Sequence, residues 1–157
     1  MLPPFTYSRP RTLDEALTAL AQGPALIHAG GSDLLGCLHD GVFAADRVVS
    51  LSALDELRGI REMPDGSLRV GALTSLAEIA AHGGVSRRFA ALADAARQVA
   101  SPQLRNQGTL GGNLCQKPRC WYYRGEFHCL RKGGEMCYAY AGENRYHCIL
   151  GGDACYI

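Results

Sequence analysis

Ala25-Leu26-Ile27-His28 runs directly into Ala29-Gly30-Gly31-Ser32-Asp33-Leu34-Leu35. A short apolar run ending in consecutive glycines reads as a strand entering a tight turn. The glycines let the backbone turn sharply and bring its N–H groups close to an anion, and Ser32 adds a hydroxyl donor. A second stretch, Gly108-Thr109-Leu110-Gly111-Gly112-Asn113, follows Arg105-Asn106 and offers the same kind of surface: bare amides with polar side chains nearby. The plain alternative is that each turn only joins two elements. Neither stretch has the dinucleotide fingerprint or the P-loop spacing, so neither Rossmann nor triphosphatase chemistry follows. Two such loops suit a pyrophosphate cradle without naming its occupant.

Working outward, Thr12 and Glu15 have capping-box spacing, and Leu13, Ala16, Leu17 and Leu20 form one apolar stripe, so residues 12–21 read as a helix. Arg47-Val48-Val49-Ser50-Leu51 reads as a second buried strand, giving a small β–α–β start. Met63-Pro64-Asp65-Gly66 predicts a turn between two strands, the second being Leu68 to Ala72. Ser75 and Glu78 predict a capped helix stopping at Gly83-Gly84. Phe89, Leu92, Ala93, Ala96, Val99 and Ala100 predict a longer one, ended by Pro102. From Gln103 onward the periodicity fades.

The composition changes near residue 100. Only Cys37 of the seven cysteines lies before it, whereas six of the seven tyrosines, Trp121 and both lysines lie after it. Over the 157 residues the net charge is +1, which favours neither nucleic acid nor a membrane surface. The apolar runs are too short to span a bilayer, and Met1-Leu2-Pro3-Pro4-Phe5 lacks the basic and apolar regions of a secretory signal. A cytoplasmic location is the default expectation, with periplasmic delivery by co-export on a partner subunit as the other route.

Cys115, Cys120, Cys129, Cys137, Cys148 and Cys155 admit several readings. Disulfides would need an oxidising compartment, and the total of seven is odd. Structural zinc usually brings C-x-x-C pairs, which are missing. Buried free thiols are a third reading and suit Cys37. A cubane iron–sulfur cluster needs four thiolates on a wrapping loop. Lys117, Arg119, Arg124, Arg131 and Lys132, with Glu126 the only acid among them, would favour an anionic cluster, although a solvated basic loop has the same composition. His128 and His147 read as surface or supporting histidines, and Trp121, Tyr122 and Tyr123 as packing residues.

Three stretches carry a resemblance in order and spacing: Ala-Gly-Gly-Ser-Asp-Leu at 29–34, Val-Gly-Ala-Leu-Thr-Ser-Leu-Ala-Glu-Ile at 70–79, and Arg-Asn-Gln-Gly-Thr-Leu-Gly-Gly-Asn-Leu at 105–114. Together they resemble the FAD-binding subunit of the xanthine dehydrogenase and carbon monoxide dehydrogenase flavoprotein family. The resemblance implies an α+β, two-lobed FAD-binding fold of the vanillyl-alcohol-oxidase (PCMH) type. It further implies a small FAD-binding lobe at 1–55, the start of a second lobe at 56–114 and a cysteine-rich segment at 115–157. Subunits of this family are about twice as long, so the C-terminal flavoprotein domain is expected to be missing here. By position, Ile27, His28, Ala29, Gly30, Gly31, Ser32, Asp33, Leu34 and Leu35 would wrap the FAD pyrophosphate. Gly108, Thr109, Gly112 and Asn113 would add a second set of contacts, and Ala72 and Leu73 would approach from a strand.

The run from Cys120 through Cys129, Gly133-Gly134-Glu135-Met136-Cys137 and Gly142-Glu143-Asn144-Arg145 to Cys155 is similar to a subgroup. That subgroup is the flavin subunit of bacterial aldehyde oxidoreductases carrying an extra [4Fe–4S] cluster. The resemblance makes Cys120, Cys129, Cys137 and Cys155 the ligands and leaves Cys115 and Cys148 as bystanders. It implies an oxidoreductase subunit of a molybdenum hydroxylase acting on an aldehyde or N-heterocycle. Electrons would pass from a molybdenum-cofactor large subunit and a [2Fe–2S] small subunit through FAD to an acceptor. No catalytic acid or base is expected in this chain. The alternatives are a 4-hydroxybenzoyl-CoA reductase-like flavin subunit or a non-enzymatic zinc-binding domain.

Overall fold

The structure, a computed structural model, describes residues 1–148. Five elements come first: β1 (Thr6–Ser8), α1 (Leu13–Ala21), β2 (Leu26–His28), α2 (Leu34–His39) and β3 (Arg47–Ser50). The three strands form one parallel sheet in the order β1-β3-β2. The central strand is the most buried of the three, with Val48, Val49 and Ser50 all buried, as a strand covered on both faces requires. Register pairs Ile27 with Val49 and His28 with Ser50, so the first glycine loop leaves from the carboxyl edge of the sheet. Ligands gather at that edge in open α/β sheets. The Thr12 hydroxyl accepts from the Glu15 amide at 3.2 Å and starts α1, while the Glu15 carboxylate accepts from Arg11 N rather than from Thr12.

A 3₁₀ turn (Asp55–Leu57) leads to an antiparallel hairpin of β4 (Ile60–Glu62) and β5 (Leu68–Val70). The Asp65 carboxylate closes its turn by accepting from Ser67 N at 2.9 Å and Ser67 Oγ at 2.7 Å. Helices follow: α3 (Leu76–Ala81), α4 (Gly83–Arg88), α5 (Ala90–Gln98), α6 (Pro102–Gln107), α7 (Leu110–Leu114) and α8 (Trp121–Arg124). The Ser75 capping box is complete, because its hydroxyl accepts from Glu78 N and the Glu78 carboxylate accepts from Ser75 N.

Two apolar clusters hold these elements. Ala16, Leu54 and Leu73 lie between the sheet helix and the hairpin, with Ala29 packed against them. Leu76, Ile79, Val85, Ala93 and Ala96 join α3, α4 and α5.

The structure departs from the sequence reading in four places. β1 is a polar three-residue strand with no periodicity to reveal it, and it exists because β3 has a free edge. Gly83-Gly84 opens α4 instead of ending a helix, with His82 Nδ1 accepting from Val85 N at 3.2 Å. Pro102 does not terminate α5, which stops at Gln98; it occupies the first turn of α6, where its missing N–H costs nothing. Where the periodicity fades, from Gln103 onward, regular structure continues through most of α6 and in α7 and α8.

Candidate functional site

The two glycine stretches lie against each other. A Cβ on Gly30 would sit 1.7 Å from the Gln107 carbonyl oxygen, so only a glycine allows this approach. A Cβ on Gly108 would lie 3.4 Å from Ser32 Oγ. The second stretch in turn packs on residues 72–76: Leu76 N donates to Gly108 O, Leu110 N to Thr74 O and Gly111 N to Ala72 O, at 2.8–2.9 Å. Segments 27–35, 72–76 and 108–113 therefore meet at one place, although more than thirty residues separate each from the next in sequence.

The first loop is open. Gly31 has φ +75°, Ser32 is exposed, and Ile27 and Leu35 leave apolar surface uncovered on either side. Beneath it, the His28 and Ser50 side chains share a hydrogen bond at 3.0 Å (Nδ1 to Oγ), and Ser50 Oγ donates to Ser52 Oγ at 3.0 Å. Burial pushes the His28 pKa below its ordinary value, which favours a neutral imidazole at the root of the loop.

The second loop differs from its sequence reading. Its amides are not bare: besides Leu110 N and Gly111 N, Gly112 N donates to Thr109 Oγ1 at 3.2 Å and Asn113 N to Thr109 O at 3.1 Å. The Asn113 side-chain amide also donates to Thr109 O, at 2.9 Å. Thr109 is buried, and its hydroxyl is occupied as the cap of α7. This segment is thus a docked helical turn whose surface is Gly112, Asn113 and the exposed Leu114. Leu73 is likewise buried, with its side chain in the core, so only backbone near the exposed Ala72 reaches the surface.

The Asp33 carboxylate turns toward the cysteine-rich segment. It accepts from Arg124 Nη1 at 2.8 Å and Nη2 at 3.1 Å, and from Arg119 Nη2 at 3.3 Å. The basic side chains at 119 and 124 thus spend their charge on the first loop. Arg105, which the sequence left without a role, donates to the carbonyls of Val99 and Ala100 and holds the turn before α6, where Ala100 has φ +42°.

Aromatic packing organises the cysteine-rich segment. Tyr122, Phe127 and Tyr138 make mutual ring contacts with centroids 5.0–5.6 Å apart, and Trp121 packs on Tyr146 at 5.0 Å. Cys120 and Cys129 are buried and Cys137 is half-buried, whereas Cys115 is exposed. Cys129 bridges to Met136, which brings it near Cys137 in the chain path. His147 Nε2 lies 3.6 Å from Cys137 Sγ, and its Nδ1 lies 3.6 Å from Cys148 Sγ. Among the described residues, no three His, Cys, Asp or Glu side chains converge as metal ligands would. Cys155 lies outside the described residues. The thiolate donors suit iron chemically, but three of the four expected ligands do not gather in the described part.

The family of the FAD binding domain in molybdopterin dehydrogenase matches residues 3–120. The chain belongs to this family. It is 40% identical over 111 residues to the xanthine dehydrogenase FAD-binding subunit of Escherichia coli O157:H7, covering 70% of this chain and 38% of that one. It is 36% identical over 155 residues to the aldehyde oxidoreductase FAD-binding subunit PaoB of Escherichia coli K12, covering 96% of this chain and 48% of that one. Among solved structures, carbon monoxide dehydrogenase from Hydrogenophaga pseudoflava lacking the Mo-pyranopterin moiety superposes with a TM-score of 0.70 at 34% identity. That match covers 73% of this chain and 40% of that one. The fold is therefore the mixed α/β FAD-binding domain of these oxidoreductase subunits, and the chain spans less than half the length of the curated relatives it matches.

Proposed function

We propose that this chain is the FAD-holding portion of an electron-transfer subunit in a molybdenum hydroxylase complex that oxidises an aldehyde or N-heterocycle. The observation that carries the reading is the meeting of segments 27–35, 72–76 and 108–113 around an open, glycine-edged loop. FAD fits this surface. Backbone from Ala29 to Ser32 would hold the pyrophosphate without lysine, and the uncovered Ile27, Leu35 and Leu114 would meet flat apolar rings. When bound, FAD supplies the exchange of electrons that no side chain here can provide. The chain's own residues position and shield it: His28 and Ser50 brace the loop from below, and α7 sets the depth of the second edge. Electrons would come from a molybdenum-cofactor large subunit by way of a [2Fe–2S] small subunit and leave through FAD to a separate acceptor, so no general acid or base is assigned.

A second element of the proposal concerns Cys120, Cys129, Cys137 and Cys155 as ligands of a [4Fe–4S] cluster. It is favoured by the extent of the match to PaoB, which covers 96% of this chain and so extends far into the cysteine-rich segment, whereas the match to the xanthine dehydrogenase subunit covers 70%. An anaerobic absorption spectrum of the purified full chain, with flavin, iron, sulfide and zinc measured on one sample, tests both elements. One FAD per chain with about four irons and four sulfides is expected. FAD without iron would remove the cluster, and zinc alone would replace the reading with a zinc-binding domain.

A further inference from the structure

All five donors of the Arg124 guanidinium, at the end of α8, are used. Nε donates to Pro118 O at 2.9 Å and Nη2 to Lys117 O at 3.3 Å, both inside the cysteine-rich segment. The remaining donors cross to α2. Nη1 and Nη2 grip the two oxygens of Asp33, and Nη1 also reaches Cys37 Sγ at 3.0 Å. Arg119, held by Gln116 Oε1 at 3.1 Å, adds its charge to the same carboxylate.

Asp33 occupies the position that caps α2, yet its side chain makes no capping bond. An aspartate in that position ordinarily accepts from the amides that follow it. Here the carboxylate is drawn toward residue 124 instead. It is also an acid within the loop that would hold a diphosphate. Left unpaired, it would repel that anion; paired with two guanidiniums, it does not.

We infer that Arg124 is a positioning residue for the flavin dinucleotide site: by neutralising and turning Asp33, it makes FAD retention depend on docking of the cysteine-rich segment. The inference rests on the FAD reading proposed above. Arginine is required because a bidentate grip on a carboxylate, with a second side of donors left for backbone carbonyls, is beyond lysine.

The test is FAD titration of the full chain, followed by flavin fluorescence, for the wild type, Arg124→Gln and the double variant Asp33→Asn/Arg124→Gln. Amide exchange of residues 33–38 and 117–124 is read on each. Arg124→Gln is expected to weaken FAD binding about tenfold, as the loss of a charge-assisted pair predicts. Removing the exposed charge with Asp33→Asn is expected to restore affinity to within about threefold, which a purely structural role would not do. A folded Arg124→Gln chain that binds FAD within twofold of wild type overturns the inference, as does a double variant no better than the single one.

If Arg124→Gln does not fold, the single variant Asp33→Asn decides. Its 117–124 amides must exchange faster than those of wild type, and unchanged exchange overturns the inference. A wild-type chain that takes up no FAD defeats the FAD reading and this dependence with it. Coupled exchange between the two segments would then survive only as a structural joint.

Discussion

Gly30→Ala should separate the two glycine loops and destabilise the chain. The new Cβ would lie 1.7 Å from the Gln107 carbonyl oxygen and 2.7 Å from its carbon. Real contacts of this kind do not fall below 3.0 Å, so the loops must part by at least 1.3 Å (3.0 − 1.7). The obstacle is backbone at the end of α6, which cannot swing aside as a side-chain tip could. Overpacking against such a wall costs about 2–3 kcal/mol. With a urea m-value of roughly 2 kcal/mol/M, the midpoint should drop by about 1 M. Gly36→Ala is the internal control. It lies in α2 with nothing within 4 Å of its Cβ, and it should stabilise the chain by about 0.5–1 kcal/mol. The same chemical change should therefore act with opposite sign six residues apart. Urea denaturation of both variants, with FAD affinity measured alongside, checks this. A Gly30→Ala chain within about 0.5 kcal/mol of wild type, retaining FAD, would show that the loops do not touch as described.

Ala100→Gly should stabilise the chain by about 0.5–1 kcal/mol, because φ +42° costs alanine roughly 1–2 kcal/mol and the added chain entropy returns part of it; thermal denaturation would show the gain. Ser75→Ala should cost about 1 kcal/mol at pH 7 through loss of the α3 cap. The Ser75 hydrogen bonds hold the Glu78 pKa below its ordinary value, so that contribution is present above the unfolded value of about 4.3 and is lost as pH falls through the folded one. The deficit of Ser75→Ala should consequently shrink in urea titrations near pH 3. His28 behaves with the same sign for a different reason. Burial lowers its folded pKa, so stability is full above about 6.5 and declines as the pH drops below that value, until the folded imidazole also protonates. His28→Gln should flatten the stability profile between about pH 7 and pH 5, and an NMR titration of the ring should place its midpoint below that of a free histidine.

Much of the frame was legible because it is local. The Ala25–His28 run, the Val48-Val49 pair, the Asp65-Gly66 turn and the Ser75–Glu78 box each announce themselves within a few residues, and each forms where expected. The helical stripe of Leu13, Ala16, Leu17 and Leu20 is equally plain. Elements that borrow their stability were not legible. β1 needs the edge of β3, α4 needs the His82 ring as a cap, and α7 needs the carbonyls of Ala72 and Thr74. Pro102 misled because proline ends a helix and also begins one, and only the chain path decides which.

The candidate site divides in the same way. The sequence alone determined the glycine stretches, the family resemblance they carry and the separate character of the cysteine-rich segment, since all of these rest on residue type and spacing. Tertiary structure alone decided that the two stretches touch at Gly30 and Gln107, and that the amides of the second are already satisfied. It also decided that Asp33 belongs to Arg124, ninety-one residues away. A carboxylate states its charge in the sequence but not its partner. The partner is set by which surfaces the folded backbone brings within hydrogen-bonding distance, and no local pattern encodes that distance.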